Sequence, residues 1–366
     1  MKDKIKFFIG CAVPVISCNL RCEYCYLTHK GNEAYKGGIK QFSLKPTEIA
    51  DILSVKRLGG PCYFNFCADG ETLLHPQIIN LVELLLAQGH YADIITNGLL
   101  SKKIDEIVAN FSDEQKSHLM VKFSFHYLQL KEKNLLTRFV ENVNKIKNSG
   151  ISYSVEITPH DELIPYIDEI KTFSIENFDA LPHITVARNE GTKGIELLTS
   201  LSREEYKKVW SVFDSKMFDF KFSIFGVKRN EVCHAGLWSF QVNLERGDVL
   251  QCYGGDIISN LKNFTINKLR PICKCREPHC FNGHAYLTYG TIPCINSYSY
   301  LDMRDRVMSN GEHWIKGESA DFFLSRLSES NPQVSKLKAK FVLINRPIYK
   351  IHDLFYKIYN KLKSKS

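Results

Sequence analysis

The chain has 366 residues, 44% of them hydrophobic and 24% charged, enough for one large domain and a smaller one. Its net charge of +8 sits at one end: residues 336–366 carry nine Lys or Arg against a single acid, Asp353. The body is therefore neutral, and nucleic-acid binding has no support there. Nine of the twelve cysteines fall in two tight sets, which reads as metal ligation in a reducing cytoplasm rather than as a disulfide scaffold. The start up to Cys18 has the order of a lipoprotein signal, but cleavage there would leave a metal motif as the new terminus. Neither that apolar run nor any later one is long and uncharged enough to span a bilayer.

Hydrophobic segments then alternate in type. "IKFFIGCAVPVIS" reads as a buried strand and "KPTEIADILSVKRL" as a helix. "CYFNFC" (strand), "PQIINLVELLLAQG" (helix), "YADIITNG" (strand) and "KKIDEIVANF" (helix) follow, then "LMVKFSFHY" (strand) and "NLLTRFVENVNKIKNSG" (helix). "ISYSVEITP" (strand), "ELIPYIDEIKTF" (helix) and "LPHITVARN" (strand) close the series. Six strands with five intervening helices predict an α/β fold with a parallel sheet and right-handed crossovers, a partial (β/α)6 TIM-like barrel. A helix at "SREEYKKVWSVF" leads into a glycine-rich region of short strands. The expected domains are the barrel over 1–220, a small cysteine-rich C-terminal domain over 221–300, and a helical tail over 301–366, basic and amphipathic from 336.

The chemistry of such barrels sits at the C-terminal ends of the strands. There, after the first strand, comes "CNLRCEYCY", with Cys18, Cys22 and Cys25 and no local fourth ligand. Structural zinc sites are normally closed by four ligands. Three thiolates on a four-iron cubane instead leave one iron open to a small chelating molecule. This motif resembles the signature of the radical S-adenosylmethionine (radical SAM) enzymes, C-x3-C-x2-C with an aromatic residue before the third cysteine, here Tyr24. The resemblance covers residues 5 to about 300. It implies a [4Fe-4S] cluster on Cys18, Cys22 and Cys25 that binds S-adenosyl-L-methionine and cleaves it reductively to a 5′-deoxyadenosyl radical. It also implies SAM contacts at Asp69, Gly70 and Glu71, where the family carries a Gly-Gly-Glu-like turn, and at Ser124, His126 and Arg188. The "TNG" at Thr96–Gly98 matches as well. Taken singly, each of these positions also fits a structural role. Cys11, Cys62 and Cys67, in or at the end of strands, read as buried, inert thiols.

The second cysteine set, Cys233-x13-Gly247-x4-Cys252, is similar to the opening of the SPASM and twitch extensions that hold auxiliary [4Fe-4S] clusters. The run Cys273-x-Cys275-x4-Cys280-x3-His284, then Cys294, departs from the family: two gaps are one residue short, and His284 stands where a cysteine is expected. Two counts remain open. In the first, Cys273, Cys275, Cys280 and Cys294 hold one cluster, with Cys233, Cys252 and His284 at another. In the second, a single cluster takes Cys233, Cys252 and two later cysteines. His284 is either a ligand or a hydrogen-bonded neighbour, and zinc is a competing occupant of this set.

The tail places Phe341, Ile344, Ile348, Ile351, Phe355, Ile358 and Leu362 at alternating steps of three and four, an apolar stripe between lysines that Pro347 interrupts. Such a helix either packs on the body or lies on an anionic membrane surface or a partner. The location expected is cytoplasmic, at the inner membrane surface if the tail binds lipid.

The resemblance implies a radical SAM enzyme of oxidoreductase type that abstracts a hydrogen atom, with an auxiliary cluster assisting oxidation or epimerisation. Its electron donor would be an external protein such as flavodoxin or ferredoxin. Two substrate readings stay open: a small molecule or saccharide, or a ribosomally made peptide. The few residues before the first strand favour the former, since peptide maturases often carry a leader-binding domain there. The reading from another class is a non-catalytic zinc or iron–sulfur scaffold. Glu156 and His160, near the end of the fifth strand, are candidates for an acid or base.

Overall fold

The computed structural model describes residues 3–25, 37–272, 275–288 and 298–335, with positions 337, 338, 340, 341 and 344 beyond. Parallel strands β1 (Phe8–Val13), β2 (Tyr63–Ala68), β3 (Tyr91–Thr96), β4 (Leu119–Ser124), β5 (Ser152–Ile157) and β6 (His183–Ile184) lie side by side in chain order. They form an α/β sheet of the partial-barrel type. One face of these strands is apolar: Ile9, Cys11, Phe64, Phe66, Ile94, Val121 and Val155 are buried. Among the residues sharing that core are Ile49 of helix Pro46–Ile52, Leu81 of Ile78–Leu86, Ile104 of Ser101–Asn110, Val143 of Leu136–Asn148 and Ile170 of Ile167–Phe178.

Three predicted elements change shape. The helix over 45–58 breaks at Ser54, whose extended backbone (φ −65°, ψ 152°) starts a second short helix, Val55–Leu58, and lets Leu53 and Leu58 both reach the core. The helix from Glu162 opens as a 3-10 turn, Asp161–Tyr166, because Pro165 has no N–H to give an α-helical ladder. The sixth strand shrinks to two residues, and beyond it β7 (Arg188–Asn189) pairs with β8 (Glu196–Leu197) in a separate antiparallel ribbon.

The sheet also runs past its expected edge. Strand β9 (Ser239–Asn243) lies parallel to β1, pairing Phe8 with Ser239 and Cys11 with Val242, and β10 (Asp248–Leu250) and β11 (Ile257–Asn260) continue outward antiparallel. The cysteine-rich region thus shares hydrogen bonds with the first barrel strand.

The other face of the sheet alternates to polar residues: Asn65, Asp93, Lys122 and Glu156 are buried or nearly so. Its floor is closed by residues from the last third of the chain. Tyr91 stacks on Phe322 with ring centroids 3.7 Å apart, the Tyr63 and Tyr300 hydroxyls lie 2.6 Å apart, and Arg304 pairs with Glu156. The helices Tyr300–Arg304 and Gly317–Leu324 therefore plug the barrel.

Candidate radical SAM site

The chain leaves β1 through Pro14 and enters the cysteine loop, where the Cys25 N–H donates to the Cys22 carbonyl at 3.1 Å. That turn gathers the Cys18, Cys22 and Cys25 thiols within electrostatic reach of one another. The Leu20 N–H points at Cys18 Sγ (3.4 Å), and the Asn97 amide reaches both Cys18 Sγ (3.7 Å) and Asn19 Oδ1 (2.6 Å). Burial pushes the Cys22 thiol up to about 12 and raises Cys18 as well. Thiols so placed stay protonated unless a positive centre draws them into the thiolate form. Three such donors facing one another suit an iron–sulfur cluster.

The turn after β2 clamps this loop. The Gly70 N–H donates to the Val15 carbonyl (2.8 Å) and the Glu71 N–H to the Ser17 carbonyl (2.9 Å). A Cβ on residue 70 would lie 2.0 Å from the Ser17 oxygen, so only glycine fits. The Glu71 carboxylate, 2% exposed, accepts from the Thr96 hydroxyl (2.7 Å), the Asn97 N–H (2.7 Å) and the Leu73 N–H (3.1 Å). Glu71 thus fixes Asn97, which in turn steadies Cys18. Tyr24 is held on two sides: its ring stacks on His160 (centroids 3.9 Å apart) and its hydroxyl meets His126 Nδ1 at 2.7 Å.

Residues 13–170 match the family model described as the Radical SAM superfamily. Residues 13–170 form a radical SAM domain. Among solved structures it is similar to Streptococcus suis SuiB bound to S-adenosylmethionine (14% identity, TM-score 0.50), over 72% of this chain and 65% of that one. It is likewise similar to anSMEcpe with bound AdoMet (17% identity, TM-score 0.50), over 72% of this chain and 80% of that one. BtrN in complex with AdoMet and 2-DOIA aligns at 15% identity with a TM-score of 0.34, over 73% of this chain and 82% of that one. At these identities the likeness is one of fold. No curated protein matches the chain.

The sequence-predicted residues divide. Cys18, Cys22, Cys25, Gly70 and Glu71 come together around one loop, and His126 joins them through Tyr24. Asp69 is exposed and Ser124 half-buried at the ends of β2 and β4. Arg188 lies after β6 on the wall of a cavity toward the cysteine-rich region, within electrostatic reach of Cys67 at the end of β2, with its Nε 2.7 Å from Glu190.

Glu156, a candidate acid or base, is engaged otherwise. Burial would raise its pKa, but Arg304, Lys122 and Lys221 overcome burial and hold it at about 2. It stays ionised and is no proton donor near neutrality. His160 is spoken for by the Tyr24 ring, and burial lowers it to about 4. Cys11 and Cys62 are buried free thiols whose pKa burial raises strongly; Cys67, also free, is pushed up to about 12. All three stay protonated near neutrality.

In the second set, Cys233, Cys252, Cys275 and Cys280 all lie within electrostatic reach of one another. Cys273 and Cys294 lie outside the described residues. Among the described residues no three potential ligands close to the distances a single metal ion needs; a four-iron cubane is wider and spaces its thiolates further apart. His284 is buried, with Nδ1 3.0 Å from the Ser239 hydroxyl and Nε2 3.7 Å from Cys233 Sγ. Sequence reasoning missed Arg304 and Lys221, whose only local signal is a basic residue on a short amphipathic helix.

Proposed function

We propose that this chain is a radical SAM enzyme whose first cluster sits on Cys18, Cys22 and Cys25 and whose single auxiliary cluster sits on Cys233, Cys252, Cys275 and Cys280. The observation that carries the reading is the clamped three-thiol loop: three thiols, with no fourth donor beside them among the described residues, held by Gly70, Glu71 and Asn97 in a radical SAM domain. With S-adenosylmethionine, such a cluster supplies one-electron cleavage of the sulfonium and abstraction of a hydrogen atom from substrate.

The chain's own residues do the rest. The Leu20 N–H and Asn97 amide aim hydrogen bonds at Cys18, the kind of contact that tunes a cluster's potential. Tyr24, fixed by His160 and His126, closes one side of the loop against water. The mutual reach of four cysteines in the second set supports the one-cluster count, with His284 oriented by Ser239 beside Cys233. Held by those four cysteines, a cluster would supply a one-electron acceptor beside the barrel, chemistry that favours net oxidation.

The substrate we assign is a small molecule or saccharide. A cavity lined by Arg188, Lys221, Asn282 and Tyr286 lies between β6 and the cysteine-rich region and offers polar groups to such a substrate. A flavodoxin or ferredoxin would deliver the electron, and the basic tail would touch an anionic membrane. Anaerobic reconstitution tests the central reading. The unmodified chain should turn brown, hold about eight irons and form 5′-deoxyadenosine from SAM with dithionite. Cys18→Ala, Cys22→Ala and Cys25→Ala should each lose that product and about four irons. Product formation that survives any of the three overturns the assignment.

A further inference from the structure

The cavity between the barrel and the cysteine-rich region has a charge that its walls do not balance. It is lined by Arg188, Lys221, Cys280, Phe281, Asn282 and Tyr286, among others. The charged groups bearing on Lys221 are Arg304 from the plug, Glu156 from β5, Arg188 after β6 and Lys122 from β4. Each of these has an opposite partner. Arg304 pairs with Glu156, Lys122 Nζ lies 3.0 Å from Asp93 Oδ2, and Arg188 Nε lies 2.7 Å from Glu190 Oε1.

Lys221 differs. Among the described residues its ammonium has no carboxylate within ion-pair distance; it donates to the Thr185 hydroxyl and lies 5.8 Å from the centre of the Tyr286 ring. Burial first, and then the Arg304 charge, push it down to about 7. A lysine on a cavity wall with a neutral acceptor, three cations nearby and one carboxylate, Glu156, already paired with Arg304 is a cost to the empty protein. A negative group placed in the cavity removes that cost. Arg188, stacked over Phe281 at 5.1 Å, and the Asn282 amide edge the same space.

We infer that this cavity is a subsite for an anionic oxygen group of the substrate, a carboxylate or a phosphate, bound between Lys221 and Arg188. The inference rests on the radical SAM reading only in calling that ligand the substrate; anion binding itself stands or falls without it. The subsite lies on the wall that also carries Cys280. A substrate without an acidic group would leave the lysine unmatched.

The test uses the full chain with its clusters reconstituted anaerobically and isothermal titration calorimetry at pH 7, with inorganic phosphate and with glutarate as probes. Saturable binding of either probe, weakened at least about tenfold in Lys221→Met and largely kept in Lys221→Arg, is the expected result. Phosphate preference assigns a phosphorylated substrate and glutarate preference a carboxylated one. Lys221→Gln, which keeps a hydrogen bond to Thr185, replaces the methionine variant if the latter does not fold. No saturable binding of either probe to the unmodified chain, or binding that survives loss of the charge, overturns the subsite. Formation of 5′-deoxyadenosine by the unmodified chain is read in a separate assay. Its failure alongside intact anion binding sinks the enzymatic reading and leaves the subsite standing.

Discussion

Glu156 stands near the C-terminal end of β5, where barrels place their acids and bases, yet its neighbours give it a structural task. With Arg304, Lys122 and Lys221 holding its pKa at about 2, below the ordinary carboxylate value of about 4.5, the folded state binds its proton less readily than the unfolded chain does. Its stabilising contribution is therefore complete above about pH 4.5 and is lost as pH falls toward 2. Glu156→Gln should cost roughly 3–5 kcal/mol at pH 7, because Arg304 is left buried without its counter-ion. Urea melts should show the gap between variant and parent narrowing as pH drops below 4.5; a gap that is constant with pH would remove the assigned role. Legibility at this scale depended on distance along the chain. The three cysteines stand within one loop, so their spacing alone carried their chemistry. Glu71 was found by pattern but with another task expected of it, since nothing in "CADGETLLHP" says that Asn97 will come to its carboxylate. Arg304 was invisible because its partner lies 148 residues away.

Among elements, the helix Gly317–Leu324 shows most clearly how tertiary context sets value. In sequence it is a short, weakly marked segment in what reads as a tail, yet Phe322 is 1% exposed and stacked on Tyr91 of β3, while Phe323 packs against Tyr63 of β2. Phe322→Ala should destabilise the protein by about 3–5 kcal/mol, a cavity-forming core change rather than a tail change. Denaturant midpoints check this, and a shift under about 1 kcal/mol would place the helix outside the core. The six parallel strands were legible because each has its own apolar run and each helix between them its own period. Strand β9 was not, since its pairing with β1 joins residues more than two hundred positions apart. The plug was missed for the same reason.

On the scale of the whole molecule, charge is split between a neutral body and a tail carrying the entire +8. Phe341 and Ile344, the described part of the tail's apolar stripe, are exposed at 66% and 74%, as is Leu337 ahead of the stripe at 84%; the remaining positions from Ile348 to Leu362 lie outside the described residues. No helix among the described residues is long and apolar enough to cross a membrane. Surface attachment through that stripe predicts that the full chain co-sediments with anionic lipid vesicles at low salt and that deletion of 336–366 abolishes it, while neutral vesicles bind neither. Equal sedimentation of the two forms removes the tail from that role.

The late position of the plug also sets an order of events during synthesis. By the time β5 has left the ribosome, Asp93, Lys122 and Glu156 face an open floor, and the residues that will cover them, Tyr300 to Phe323, are still untranslated. The nascent half-barrel must keep those charges hydrated and its Tyr63 and Tyr91 rings uncovered for the time it takes to make about 150 more residues. At typical elongation speeds that interval is roughly 10–30 s, long enough for a chaperone to bind the unfinished floor.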